Sequence, residues 1–225
     1  MTLDILLDNA SILAINKPAG ILVHRSKTSS RTEPALLQIV RDYCGQRVFA
    51  PHRLDRATSG VLIFAKSAES ARFLSEQFQS RTLQKTYLAV VRGWPSAEHI
   101  DYPLARLDNG HVQDAQTELK LLETLTLPIP CDRYEQSRYA LVSLRPHTGR
   151  RHQLRRHMKH IHHPIIGDTC YGHGPHNRLF REHFNCTRLL LHHQELTFKM
   201  ENGQRMTLKA TLDESFQKVT GLFSH

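Results

Sequence analysis

Short β-leaning runs recur along the whole 225-residue chain, and several follow one another with no helical pattern between them. They are ILL and SILAIN near the amino end, Val61 to Ala65, Gln84 to Gly93, Ala115 to Thr124 and Arg138 to Arg145, then RLLLHHQELTF and RMTLKAT. Gly, Pro, Asn, Asp or polar stretches separate them, which is the punctuation expected of strands. Helical spacing predicts only four helices. One opens at Thr32-Glu33-Pro34 and carries Leu36, Ile39, Val40 and Tyr43; a second is capped by Ser67 and places Ala71, Leu74 and Phe78 on one face. A third runs from Thr148-Gly149 to about Ile161, and a last one follows Asp213. Parallel strands each need a long crossover, usually a helix, so this ratio excludes a regular βαβ winding. The fold class it predicts is α+β with a mixed, largely antiparallel sheet. Residues 96–110 and 127–137 read as loops.

A chain of this length supports one substantial core, so a single domain over residues 1–225 is expected. Hydrophobic residues at 40% and charged residues at 23% place it among folded proteins rather than disordered ones. The charge balance is less ordinary. Thirty Lys and Arg against 21 Asp and Glu give +9, with 16 histidines in reserve, which favours an anionic partner, nucleic acid being the commonest. Four scattered cysteines form no CxxC pair, and there is no HExxH, P-loop or GxGxxG, so no metal, nucleotide or redox cofactor is expected. The amino terminus lacks a basic region followed by an apolar core, and no window approaches 18 apolar residues. A cytoplasmic protein with no membrane association is the expectation.

Two segments concentrate chemistry. PHRLDRATSG, residues 51–60, sets Asp55 between Arg53 and Arg56; alone it reads as an exposed ion pair on a turn, worth little. RRHQLRRHMKHIHH, residues 150–163, places Arg151, Arg155 and Lys159 in one helical column beside Leu154, Met158 and Ile161. One face would dock and the other would meet phosphate. His157, His160, His162 and His163 have no acid in their segment to complete a divalent site, so protonatable groups near phosphate are the simpler reading.

In order along the chain, NKPAG (16–20), HRLDRATSG (52–60), QKTY (84–87), TGRRHQLRRH (148–157), HPIIGDTCYG (163–172) and RLLLH (188–192) together resemble the RluA family of pseudouridine synthases. The resemblance spans nearly the whole chain. VHRS, YLAVVRGW, DYPL, QLRRHMKHIHHPIIGD and FREHF are similar to a group within that family that modifies uridine 65 of transfer RNA. The resemblance implies a pseudouridine synthase catalytic fold, a bent mixed sheet with flanking helices and a central RNA-binding cleft. No S4-like amino-terminal module is expected, since NKPAG begins 16 residues in, and a monomer without an obligate protein partner is anticipated.

The reaction so implied turns uridine into its isomer, which consumes no cofactor. Asp55 would be the catalytic aspartate, either attacking C1′ of the ribose or removing a sugar proton to give a glycal. Arg155 would be its buried cationic partner, and Tyr87 would stack on the base and relay the C5 proton. Leu190 would pack under the uracil. Arg53 would enter the RNA stack as the target base leaves it, while Arg56, Arg151 and Lys159 would contact phosphate. The Thr58-Ser59-Gly60 break would turn the backbone so that the loop presents Asp55. Two other readings remain: the same chemistry on ribosomal RNA, and a noncatalytic RNA-binding protein.

Overall fold

The computed structural model describes residues 2–24 and 35–223. In chain order the elements are β1 (Ile5–Asp8), β2 (Ile12–Lys17), α1 (Leu36–Cys44), β3 (Ser59–Ala65), α2 (Ala68–Ser80) and β4 (Gln84–Arg92). Then come β5 (His99–Asp101), β6 (Leu104–Ala105), β7 (Val112–Gln113), β8 (Gln116–Leu127), β9 (Ser137–Pro146), α3 (Gln153–His160) and α4 (Gly174–Phe184). The chain finishes with β10 (Leu191–Lys199), β11 (Arg205–Lys209) and α5 (Glu214–Thr220), followed by a 3₁₀ turn at Gly221–Phe223. These elements form two compact units, one of residues 1–85 and 193–211 and one of residues 86–192 and 212–225.

In the first unit β2 pairs antiparallel with both β1 and β3, β3 lies beside β10, and β11 pairs antiparallel with β10. Every residue of β3 is buried, which accounts for its unbroken apolar run. Its Val61 and Ile63 pack with Ile12, Ala14, Leu74, Leu196 and Phe198, while Leu62 and Phe64 pair in register with Ile15 and Leu13 and are buried on the opposite face. Ser67 caps α2 as expected, accepting from the Ser70 N–H at 3.0 Å. The Thr32-Glu33-Pro34 opening of α1 lies outside the described residues.

In the second unit β9 is flanked by β4 and β8, all antiparallel, and β5 extends the sheet beyond β8. Helices α4 and α5 cover it, burying Phe180, Phe216 and Val219 against Leu88, Val90, Tyr139 and Leu141. Asp213 caps α5 as expected, accepting from the Phe216 N–H at 2.9 Å.

The structure corrects three expectations. The stretch read as a loop from 96 to 110 contains β5 and β6, short pairings that carry too few residues for a period-2 pattern. Helix α4 has no counterpart among the four predicted helices: Gly174-Pro175 looks like a turn, but proline suits the first helical turn, and only Leu179, Phe180 and Phe184 are apolar enough to signal the buried face. Finally, α3 starts at Gln153, not after Gly149, so Arg151 lies outside the helix and the Arg151/Arg155/Lys159 column does not form. The cause is the Gln153 side chain. Its Oε1 accepts from Thr148 Oγ1 at 2.6 Å and from the Arg150 N–H at 3.0 Å, its Nε2 donates to the Gln116 carbonyl and to Thr117 Oγ1, and His152 is left at φ 57°.

Candidate active site

Asp55 sits in an irregular segment whose side chains alternate, with Arg53 exposed, Leu54 buried and Asp55 half-buried. Both flanks of that segment are anchored. On the amino side, His52 Nε2 accepts from the Ile63 N–H at 3.0 Å and the ring stacks on Phe78 with centroids 4.5 Å apart. Accepting at Nε2 requires the neutral imidazole. Desolvation of the ring, then the charges of His193 and Lys85, push its pKa well below the ordinary histidine value, consistent with that role.

On the carboxyl side the anchor is Lys17 from the NKPAG turn. Its side chain is fully buried, and Nζ donates to the carbonyls of Pro18 at 2.9 Å, Arg56 at 3.1 Å and Thr58 at 2.8 Å. A buried ammonium is tolerated only when its donors are satisfied, and three carbonyls supply that here. The Gly20 N–H also bonds the Arg56 carbonyl at 2.8 Å, and Arg56 Nε returns a bond to the Gly20 carbonyl at 2.9 Å. NKPAG and HRLDRATSG are thus two halves of one clamp. The turn itself falls earlier than the expected Thr58-Ser59-Gly60 break: the Thr58 N–H bonds the Asp55 carbonyl at 3.1 Å, while Ser59 and Gly60 already belong to β3.

Arg53, Asp55 and Arg56 belong to the first unit; Tyr87, Arg151, Arg155, Lys159 and Leu190 belong to the second. Tyr87 is half-buried on β4, in register with Leu144 of β9. Lys85, two residues earlier, has its amine pushed down to about 8 by burial first and by Arg81 second. Leu190 is fully enclosed: it belongs to the core with Val90, Phe180 and Phe216, its N–H bonds the Ile166 carbonyl and its carbonyl accepts from Val90. Arg151 and Lys159 are exposed.

Arg155 is buried, with 6% of its surface exposed, and its guanidinium grips the Asp168 carboxylate through Nε and Nη2, both at 2.7 Å. Asp168 Oδ1 accepts in addition from the N–H groups of Cys170 and Tyr171 at 2.9 and 3.0 Å. Burial alone would raise the Asp168 pKa; the bonds from Arg155 and from the two backbone donors outweigh it and hold the carboxyl below its ordinary range. Asn177 of α4 secures the turn, its Nδ2 donating to the Asp168 carbonyl and its Oδ1 accepting from the Gly167 N–H. The Tyr171 ring lies under the guanidinium, 5.1 Å from Arg155 Cζ to the centroid, and its hydroxyl bonds His152 Nδ1 at 3.0 Å. The guanidinium is therefore fixed in plane and in direction. His157, one of the four histidines beside it, is a packing residue held by Thr117 Oγ1 and the Tyr102 carbonyl.

Sequence patterns assign no role to Lys17, His52 or Asp168, although all three lie inside quoted motifs. Asp168 alone leaves a trace, an acid following a glycine soon after a strongly basic segment. Among the described residues no group of three or more His, Cys, Asp or Glu could hold a metal ion.

The chain matches the RNA pseudouridylate synthase family over residues 11–160, a span that contains Asp55, Tyr87 and Arg155. It is 46% identical to the tRNA pseudouridine synthase C of Haemophilus influenzae over 98% of both chains. With the protein of the same name from Vibrio cholerae it shares 44% identity over 98% of this chain and 96% of that one. In fold it is similar to human RNA Pseudouridylate Synthase Domain Containing 4, with a TM-score of 0.75 at 24% identity over 98% of this chain and 92% of that one. Human RNA Pseudouridylate Synthase Domain Containing 1 superposes with a TM-score of 0.72 at 23% identity, over 100% and 96% of the two chains. By its motifs and by this match over two thirds of its length, the chain belongs to the RNA pseudouridylate synthase family, in its RluA branch, and is an isomerase.

Proposed function

We propose that the protein converts one uridine of transfer RNA, uridine 65, to pseudouridine, with Asp55 as the catalytic carboxylate. The N1–C1′ bond breaks, the uracil turns while still held, and a C5–C1′ bond forms; the C5 proton is lost and N1 gains one, so the product has the composition of the substrate. Asp55 acts at the sugar, as nucleophile on C1′ or as base toward a ribose proton. Tyr87 lies against the base and assists the proton transfer from C5. Arg155 supplies a fixed positive charge, and Arg53, Arg56, Arg151 and Lys159 engage the RNA.

The observation that carries this reading is the Lys17 clamp. Catalysis by one carboxylate needs that group held in place before substrate arrives, because the ordering cost is then met in folding and not in the transition state. A buried ammonium bonded to the Arg56 and Thr58 carbonyls, and to Pro18 in its own turn, supports this by holding the backbone that follows Asp55. The choice of transfer RNA rests on the names of the full-length bacterial relatives.

Replacing Asp55 by Asn keeps the shape and removes the charge. We expect Asp55→Asn to abolish isomerisation while leaving RNA affinity within about threefold, since a lost transition-state interaction lowers turnover and not ground-state binding. Carbodiimide-stop mapping of total RNA with and without the gene identifies the target: loss of one transfer RNA stop supports the proposal, loss of a ribosomal stop moves the same chemistry to ribosomal RNA, and no change in any stop overturns it.

A further inference from the structure

A cavity of about 230 Å³ lies in the second unit, between the β6–β7 hairpin and the turn that leads into α3. Four arginines line it, Arg106, Arg150, Arg151 and Arg156, against one carboxylate, Asp108. None of the residues given a part in the chemistry, Asp55, Tyr87 and Arg155, contributes to its wall. It is smaller than the roughly 300 Å³ at which small-molecule pockets begin, and charge rather than apolar surface dominates it, so it suits a compact anion better than a cofactor.

The arrangement is built, not incidental. Leu104 and Gln113, Ala105 and Val112 pair across the hairpin, which is closed by a bond from the Arg106 N–H to the His111 carbonyl at 2.8 Å. Arg156 Nη1 donates to the Ala105 carbonyl and Arg150 Nε to the Asp114 carbonyl, both at 2.9 Å, tying the hairpin to the helix side of the cavity. Arg106 is gripped by Asp108 through Nε at 3.0 Å and Nη2 at 2.6 Å, and both side chains are about half exposed. Beside that pair, three further guanidiniums have no acid in the cavity wall to balance them.

We propose that this cavity is a seat for a backbone phosphate of the substrate RNA, with Asp108 holding Arg106 until the phosphate takes its place. The proposal rests on the reading of the protein as an RNA-modifying enzyme. A phosphate oxygen pair offers Arg106 the same bidentate geometry that the Asp108 carboxylate does. Asp108 is thus a competitor of the ligand and Arg106 its receptor, so the two residues of one ion pair have opposite effects on binding.

That opposition is the test. Dissociation constants of a transfer RNA transcript are measured over a range of salt for the wild type, Arg106→Gln and Asp108→Asn. Arg106→Gln is expected to weaken binding about threefold or more and to lower the slope of log affinity against log salt by about one. Asp108→Asn is expected to tighten binding, with a steeper slope. A hairpin in which the pair is only structural makes both variants shift in the same direction, and that result, or no shift in either, overturns the proposal. If Arg106→Gln does not fold, Asp108→Asn decides alone, because a structural pair predicts weaker or unchanged binding. Inorganic phosphate, titrated at constant ionic strength, separates the sources: a seat for free anion would respond to phosphate in the same two variants while RNA affinity stayed constant, which also overturns it. Turnover by the wild type tests the function separately, so a protein that shows the opposed shifts without isomerising uridine would remove that reading and leave this one.

Discussion

Asp168 and Arg155 form a buried ion pair, and such pairs are costly to break from one side. Two 2.7 Å bonds join them with both partners out of water, so removing the carboxylate takes the bidentate partner away from a buried charge. Asp168→Ala is therefore expected to destabilise the protein by about 3–5 kcal/mol in urea unfolding, whereas replacing the whole pair, Arg155→Met with Asp168→Leu, should cost less than the single change. A double variant no more stable than the single one would show that the guanidinium is held by other groups. Lys17 and His52 also work by tethering: Lys17 bonds the Arg56 and Thr58 carbonyls that follow Asp55, and the His52 ring bonds the Ile63 N–H of β3, so both tie the segment that carries Asp55 to its surroundings.

Among the elements, β3 carries the most constraint. Its entry at Gly60 has φ +110°, and a Cβ there would stand 2.2 Å from the backbone carbonyl oxygen of His193 on the neighbouring strand β10. A backbone obstacle cannot rotate away. Gly60→Ala is expected to yield little folded protein, while Gly203→Ala, at φ +81° in the β10–β11 turn with nothing within 4 Å of its Cβ, should cost only the conformational strain of about 1–2 kcal/mol. Comparing soluble yield and melting temperature of the two variants checks the contrast, and equal behaviour would mean that strain rather than contact governs Gly60. Helix α3 differs from β3 in what sets its limits. Its 3.6-residue pattern is legible in the sequence, but its start is not, because a glutamine side chain bonded to Thr148 and Arg150 stops the helix one turn short.

For the whole molecule, the histidines give stability a pH dependence. His52, His157 and His176 each have a pKa lowered chiefly by burial, His176 to about 4, its Nδ1 bonded to the Tyr139 hydroxyl at 2.8 Å. The folded protein keeps them neutral in a range where the unfolded chain, near pKa 6.5, is protonated. The unfolded state thus binds more protons, and stability falls as pH drops below about 6.5, for His176 down to about 4, by up to about 1.4 kcal/mol per pH unit for each histidine while it stays neutral in the fold. Asp168 acts lower: its depressed pKa stabilises the fold above the ordinary carboxylate value near 4 and is lost only below that. Urea midpoints measured from pH 7.5 to 4.5 should decline, and His176→Gln should flatten the decline; a level profile would contradict the burial of these rings.

Periodicity and turn chemistry make the α+β class, the strands of the first unit and the capped helices α2 and α5 readable in one dimension, because each depends on residues within a few positions of one another. The resemblance of the ordered motifs likewise selects Asp55, Tyr87 and Arg155 as candidates along the linear chain. Only tertiary structure decided that Lys17 clamps a loop some forty residues away, that Asp168 holds Arg155, that Leu190 is enclosed in the core and that Arg106 and Asp108 share a cavity with Arg156. Those are matters of which distant groups meet when apolar surface is buried. Hydrogen bonds between them depend on three-dimensional proximity, for which sequence spacing carries no signal.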